Sequence, residues 1–190
     1  MKNVITSILM ILIFTIALGI IYPLAVWGVS QAMFPYQANG SLVKNAKGEV
    51  IGSELLGQTF TGPGYFHSRP SAAGSGYDAS ASSGSNLGPT SEKLIDRIKT
   101  DAEALGAENP AKNIPADLVT TSASGLDPHI SPAAAAFQIS RVAKERRISE
   151  NDLRQIVARY TAGRQFGFFG EAGVNVLMLN LELDRTNSSK

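Results

Sequence analysis

From Val4 to Val29 the chain carries no charged residue and very little that is polar, and no other feature constrains its fold so tightly. At ~1.5 Å per residue a helix over this run is about 39 Å long, more than the ~30 Å hydrocarbon core of a bilayer requires. Tyr22, Trp27, Phe34 and Tyr36 gather toward its C-terminal end, where amphipathic rings favour the headgroup layer. Pro23 is expected to kink or end the regular span near that boundary. The run reads as a transmembrane helix over 4–29, preceded by a short segment, 1–3. A cleaved signal peptide is the competing reading, because Ser30-Gln31-Ala32 has the small-x-small form of a cleavage site and Lys2 gives a minimal positive start. The apolar core of such peptides spans only about 7–15 residues, so a retained anchor is expected instead.

Lys2 and the amino terminus are the positive charges nearest the start of the span, and the next charged residue is Lys44. The positive-inside bias then puts residue 1 in the cytoplasm and the rest of the chain, over 37–190, outside the inner membrane. Within the span, Thr15 and Gly19 form a small-xxx-small pair on one helix face, a candidate packing site for another helix.

Beyond the span the chain is long enough to bury a substantial core without staples, and the absence of cysteine rules out disulfides and thiolate chemistry. All 16 acids and 16 of the 17 bases lie here, so the segment is formally neutral. No basic stripe is present, and no nucleic-acid partner is expected. Ser41–Lys44 and Glu49–Ile51 flank Asn45-Ala46-Lys47-Gly48 as a hairpin with glycine at the turn. From Gly57 to Pro89 the chain is rich in Gly, Ser, Pro and Ala, yet Phe60, Tyr65, Phe66 and Tyr77 punctuate it. These aromatics predict an ordered, loop-rich segment rather than a tether.

Three helices have legible starts. Thr90 or Ser91 caps one that carries Leu94, Ile95, Ile98, Ala102 and Leu105 on one side and ends at Asn109-Pro110. Ser131-Pro132 begins a second, over Ala133–Arg147. Ser149-Glu150-Asn151-Asp152 begins a third, with Leu153, Ile156, Val157 and Tyr160 at helical spacing and Gly163 as its C-terminal glycine. Over Val174–Asp184, Leu177, Leu179, Leu181 and Leu183 alternate with polar or flexible residues and predict a strand with one buried face. The fold class is therefore an α+β extracytoplasmic domain anchored by one N-terminal transmembrane helix.

Catalytic motifs are sparse. No Gly-Lys dipeptide is available for a phosphate-cradling loop, and no Asp precedes a Lys, as a phosphorylated aspartate motif demands. Gly74-Ser75-Gly76-Tyr77-Asp78-Ala79 matches a dinucleotide pattern without the flanking strand and helix. His67 and His129 stand apart, which argues against a metal site, and Asp78, Asp127 and Glu171 occupy loops. No catalytic residue and no metal ligand is assigned. Single-span exported hydrolases and anchored binding modules remain the competing classes.

A set of ordered strings decides among them. Tyr22-Pro23, Gln37-Ala38-Asn39-Gly40-Ser41-Leu42, Leu56-Gly57-Gln58-Thr59-Phe60, Tyr65-Phe66-His67-Ser68-Arg69-Pro70-Ser71-Ala72, Ser83-Gly84-Ser85-Asn86-Leu87-Gly88-Pro89, the long run Leu118–Pro132, and Asn175-Val176-Leu177 with Leu179-Asn180-Leu181 run in sequence along nearly the whole chain. Together they resemble the C subunit, or KdpC, family of the bacterial Kdp high-affinity potassium-transporting P-type ATPase. Ser83 departs from this pattern, since the family often has glycine there; the change matters only if that residue needs positive φ. The resemblance implies a non-catalytic accessory subunit that serves assembly and stability, described as a catalytic chaperone raising the ATP affinity of the hydrolysing subunit. Its implied partners are a potassium-channel-like subunit, a P-type ATPase subunit and the lipid bilayer. ATP and potassium are then used by the complex, and no cofactor is expected on this chain. Asn39, His67, Arg69, Ser85, Asn86, Asp127 and His129 are polar residues in Gly/Pro-rich segments and form the expected docking set.

Overall fold

The computed structural model describes residues 1–187. Ser188–Lys190, the end of the expected 37–190 domain, lie outside the described residues. The chain divides into two compact units, Met1–Ile51 and Gly52–Lys190.

The first unit opens with a continuous apolar helix over Lys2–Met33, long enough to cross a membrane and with none of it buried. It comprises α1 (Lys2–Ile16), a π-helical turn (Ala17–Ile21) and α2 (Tyr22–Met33). Thr6 and Ser7 donate their hydroxyl protons to the carbonyls of Lys2 and Asn3, which satisfies both groups without water. Pro23 does not end the span. An α-helix would press its ring against the carbonyl four residues earlier and leave that carbonyl without a donor. The π turn immediately before it widens the helix at that place, and regular α-helix resumes to Met33. Ser30-Gln31-Ala32 lies inside α2. A short helix α3 (Pro35–Ala38) follows. Strands β1 (Leu42–Lys44) and β2 (Val50–Ser53) then form the expected hairpin. The Asn45 carboxamide oxygen accepts from the amides of Lys47 and Glu49, and Gly48 takes the positive φ, 82°, that the turn needs.

Among the described residues the second unit is built on four α-helices and a small antiparallel sheet. Helix α4 spans Glu92–Glu108; after a 3-10 turn (Ala116–Leu118) come β3 (His129–Ile130), α5 (Pro132–Arg146), α6 (Glu150–Arg159), β4 (Thr161–Ala162), β5 (Gly173–Asn175) and α7 (Val176–Asn187). Strand order is β3-β5-β4, with Ile130 and Thr161 both opposite Val174. The α5 and α6 starts agree with the sequence. Ser131 Oγ accepts from the Ala134 amide and Ser149 Oγ from the Asp152 amide. Helix α5 closes on Arg147 in the left-handed region, at φ 56°.

Three expectations are corrected. Val176–Asn187 is a helix, and the strand is confined to Gly173–Asn175. The leucine alternation masked a second pattern: Val176, Leu179, Asn180 and Leu183 are the buried residues at i, i+3, i+4 and i+7, with Leu177 beside them. Asn175 starts this helix by accepting the Met178 amide at 3.1 Å. Gly163 follows β4 rather than ending a helix, because α6 stops at Arg159 and the chain enters the sheet at once. Ser91 holds the cap position of α4 without a side-chain bond to the helix, and Ile95 points outward at 53% exposure. Only part of the α4 apolar face therefore reaches the core, through Leu105.

That core joins Phe66, Ile130, Ile139, Val142, Leu153, Val174, Leu179 and Leu183. Phe66 belongs to the loop-rich segment and is fully buried, so the aromatics there are indeed anchors. Two buried carboxamides hold it. The Phe66 amide donates to Asn180 Oδ1 at 2.9 Å, and Asn180 Nδ2 returns a bond to the Phe66 carbonyl at 2.9 Å. One residue on, the His67 amide donates to Gln138 Oε1 at 2.8 Å, and Gln138 Nε2 donates to the His67 carbonyl at 3.1 Å. Helices α7 and α5 thus pair with consecutive loop residues as an adjacent strand would. Arg141 adds bonds to the carbonyls of Pro63 and Tyr65, and Arg146 lies over the Tyr65 ring and donates to the Gly64 carbonyl.

Asn180→Leu keeps the branched shape but orphans a buried donor and a buried acceptor, each costing about 1–3 kcal/mol. The variant is expected to lose about 2–5 kcal/mol in denaturant unfolding of the detergent-solubilised chain. It is also expected to become protease-sensitive within residues 57–89.

Candidate functional site

Arg69, Asp127 and His129 meet at one place, from two separate stretches of backbone. Arg69 NH1 lies 3.0 Å from Asp127 Oδ2, while its Nε and NH2 donate to the carbonyls of Thr120 and Thr121 at 3.4 and 3.5 Å. Asp127 Oδ1 accepts the His129 amide at 3.0 Å and stands 3.6 Å from His129 Nδ1. Burial alone would raise the Asp127 pKa; the hydrogen bonds from His129 and the Arg69 guanidinium outweigh it and hold the carboxyl below its ordinary range. These three residues line a cavity of about 550 Å³ with Asp117, Ser131, Phe169 and Glu171. Asp117 accepts both the Ser131 amide, at 2.7 Å, and its hydroxyl, at 3.0 Å. The Ser131 hydroxyl in turn caps α5, so the serine nearest His129 is engaged structurally rather than aimed at the imidazole.

On its other side Arg69 borders a smaller cavity of about 300 Å³, shared with His67 and Tyr77. The Tyr77 hydroxyl donates to the Arg69 carbonyl at 2.6 Å. The ring of His67 bonds the Gly62 carbonyl through Nε2 at 3.1 Å, which fixes the proton on that nitrogen. Gly125 closes this layer of loops at φ 68°; a Cβ there would stand 2.6 Å from the Ser83 carbonyl oxygen. Ser83 itself does not take positive φ and donates its amide to the Ser124 carbonyl, so the family's glycine is not required at that position.

The rest of the docking set is dispersed. Asn39 belongs to the first unit, where its Nδ2 donates to Pro35 O and Gln31 Oε1. Ser85 and Asn86 do not line the cavity; Asn86 is exposed and sits in the left-handed region at φ 51°. Of the three loop acids, Asp127 and Glu171 share the larger cavity, while Asp78 binds Ser80 locally. Thr15 and Gly19 do share a helix face, the Thr15 methyl lying 4.0 Å from the place a Gly19 Cβ would take. They line a shallow groove with Met10, Ile11, Phe14 and Leu18, beside the π turn.

Residues 164–170 carry no sequence expectation, yet with Glu171 they form a conspicuous exposed apolar feature. Phe166, Phe168 and Phe169 are 87%, 65% and 57% exposed at the end of the β4–β5 connection. The available signal was the density of phenylalanine between glycines, uncharged from Gln165 to Gly170 and bracketed by Arg164 and Glu171.

Comparison with known proteins gives this arrangement its family. Residues 4–185 match the family described as "K+-transporting ATPase, c chain". The chain belongs to the KdpC family. Among its relatives is the potassium-transporting ATPase KdpC subunit of Koribacter versatilis, 60% identical over 185 residues, which are 97% of this chain and 95% of that one. The KdpC subunit of Caulobacter vibrioides is 60% identical over 172 residues, 90% of this chain and 87% of the relative. That of Myxococcus xanthus is 57% identical over 169 residues, 88% and 80% of the two chains.

Acid stability should report on His67. Burial first, and the Arg141 guanidinium second, lower its pKa from the ordinary 6.5. The unfolded chain therefore binds this proton more readily, and stability falls as pH drops below 6.5 until the folded imidazole also titrates. His67→Gln is expected to lessen the difference in unfolding midpoint between about pH 7.5 and about pH 5.5. An unchanged difference assigns the acid sensitivity to other groups.

Proposed function

We propose that the chain is the non-catalytic accessory subunit of an ATP-driven potassium-uptake pump of the bacterial inner membrane, required for its assembly and stability. The observation that carries this reading is a family match running through both the apolar helix and the following unit, from residue 4 to residue 185. Its partners in this reading are a channel-like subunit that carries potassium and a P-type ATPase subunit that hydrolyses ATP. The chain itself binds neither. The helix crosses the membrane once, with the amino terminus in the cytoplasm and residues 37–190 outside, in keeping with Lys2 and the charge-free run to Val43. An outer domain cannot touch cytoplasmic ATP. Any rise in the ATP affinity of the hydrolysing subunit therefore passes through the span or through the partner it steadies.

Topology is tested with the cysteine-free background that the sequence already supplies. Lys99→Cys, exposed on α4, is expected to react with an impermeant thiol reagent once the outer barrier is permeabilised. Labelling only after the inner membrane is broken would reverse the orientation.

Assembly is tested by detergent co-purification, where two larger membrane proteins are expected to accompany the chain. Within the docking set, Arg69 makes three bonds inside its own unit, so Arg69→Ala should cost stability as well as assembly. Asn86→Gly separates the two effects, because glycine keeps the left-handed backbone and removes only the exposed side chain. It is expected to melt normally and to recover less of the pump. Normal recovery removes Asn86 from the interface.

A further inference from the structure

The connection between β4 and β5 is a second small hairpin with an apolar tip. Gln165 and Phe169 exchange both backbone hydrogen bonds, each at 2.9 Å, and the Gly167 amide bonds Arg164 O at 3.1 Å. Three residues, Phe166-Gly167-Phe168, make the turn. Phe166 and Gly167 both take positive φ, 51° and 82°, and Gly170 takes 73°. At the base, Arg164 NH2 reaches both carboxylate oxygens of Glu171, at 2.8 and 2.6 Å. The Phe168 and Phe169 rings pack against each other at 4.2 Å between centroids, tilted by 39°. A bulky residue in the left-handed region is strained, and here the bridge and the ion pair hold it there with its ring 87% exposed.

We propose that residues 164–171 form a preshaped apolar knob that seats in an uncharged pocket, floored by aliphatic or aromatic side chains, on another subunit of the same pump. This rests on the reading of the chain as a pump subunit. Three observations select that occupant. The knob is rigid by its own bonds, and a fixed shape lowers the cost of entering a pocket that is itself fixed. A fluid lipid boundary would accept the same rings in any arrangement. The flanking charges neutralise each other, so the base offers no net attraction to anionic headgroups, on which peripheral insertion commonly leans. Area argues against a second copy. Three partly exposed phenylalanines offer on the order of 300–500 Å², and two such tips face to face fall short of the ~1,200 Å² of a stable interface. The knob also adjoins the cavity lined by Arg69, Asp127 and His129, through Phe169 and Glu171. A larger partner would meet a convex and a concave surface together.

The test places benzoylphenylalanine at position 166 of the full chain, expressed with all pump subunits, and irradiates native membranes. A covalent adduct with another pump subunit is expected. Adducts with lipid or with a second copy, or no adduct, would overturn the proposal while the chain still co-purifies with the pump. If the wild-type chain brings no pump subunit with it, the reading underneath fails instead, and this proposal with it. As a second measurement, Phe166→Ser combined with Phe168→Ser should leave thermal unfolding of the chain unchanged and reduce recovered complex about tenfold. Full recovery with both rings removed would overturn the proposal independently.

Discussion

The second unit depends on two side-chain amides meeting the backbone of one loop. Asn180 and Gln138 come from different helices, yet each satisfies both the donor and the acceptor of a single residue, Phe66 and His67. Irregular backbone is normally confined to the surface because its polar groups need water. Here the protein supplies the missing partners, so Phe66 can enter the core with its backbone intact. The arginines on α5 extend the same solution over Pro63, Gly64 and Tyr65. A glycine- and proline-rich segment thereby becomes as fixed as the helices it covers. Arg69, carried on the same loop, brings that fixity to its cluster with Asp127 and His129.

The apolar helix solves a comparable difficulty by another route. Thr6 and Ser7 turn their hydroxyls to the helix's own carbonyls, and its proline is accommodated by a wider turn rather than a break. Both suit a helix lying in hydrocarbon, where polar groups need partners within the chain. The family match spans helix and following unit together, which makes the helix part of what relatives share.

Much of this was legible in the residues. Ser131-Pro132 and Ser149 announced α5 and α6 because a cap is a local device, read within four positions. The hairpin at Asn45–Gly48 was legible for the same reason. Val174–Asp184 was not, because its leucines satisfy two periodicities at once, and only the packing of Asn180 against Phe66 selects the helical one. The docking set was gathered on polarity and loop position. Polarity does not reveal whether a side chain is spent internally, as with Arg69, or turned outward, as with Asn86. The phenylalanine hairpin escaped for the opposite reason. Aromatic residues in sequence ordinarily signal a core, and only coordinates show them standing outside it.

The amide pairs also impose an order on the chain's own history. They join residues 114 and 71 positions apart. Contacts of such long separation form late, after intervening chain entropy has been spent. During synthesis the apolar helix precedes the loop segment, and that loop waits for Asn180 of α7, 114 residues beyond Phe66. A shortened chain ending before Asn180 would own a complete membrane span and an unsettled loop segment. The surfaces on that loop therefore acquire their shape only once α7 has arrived.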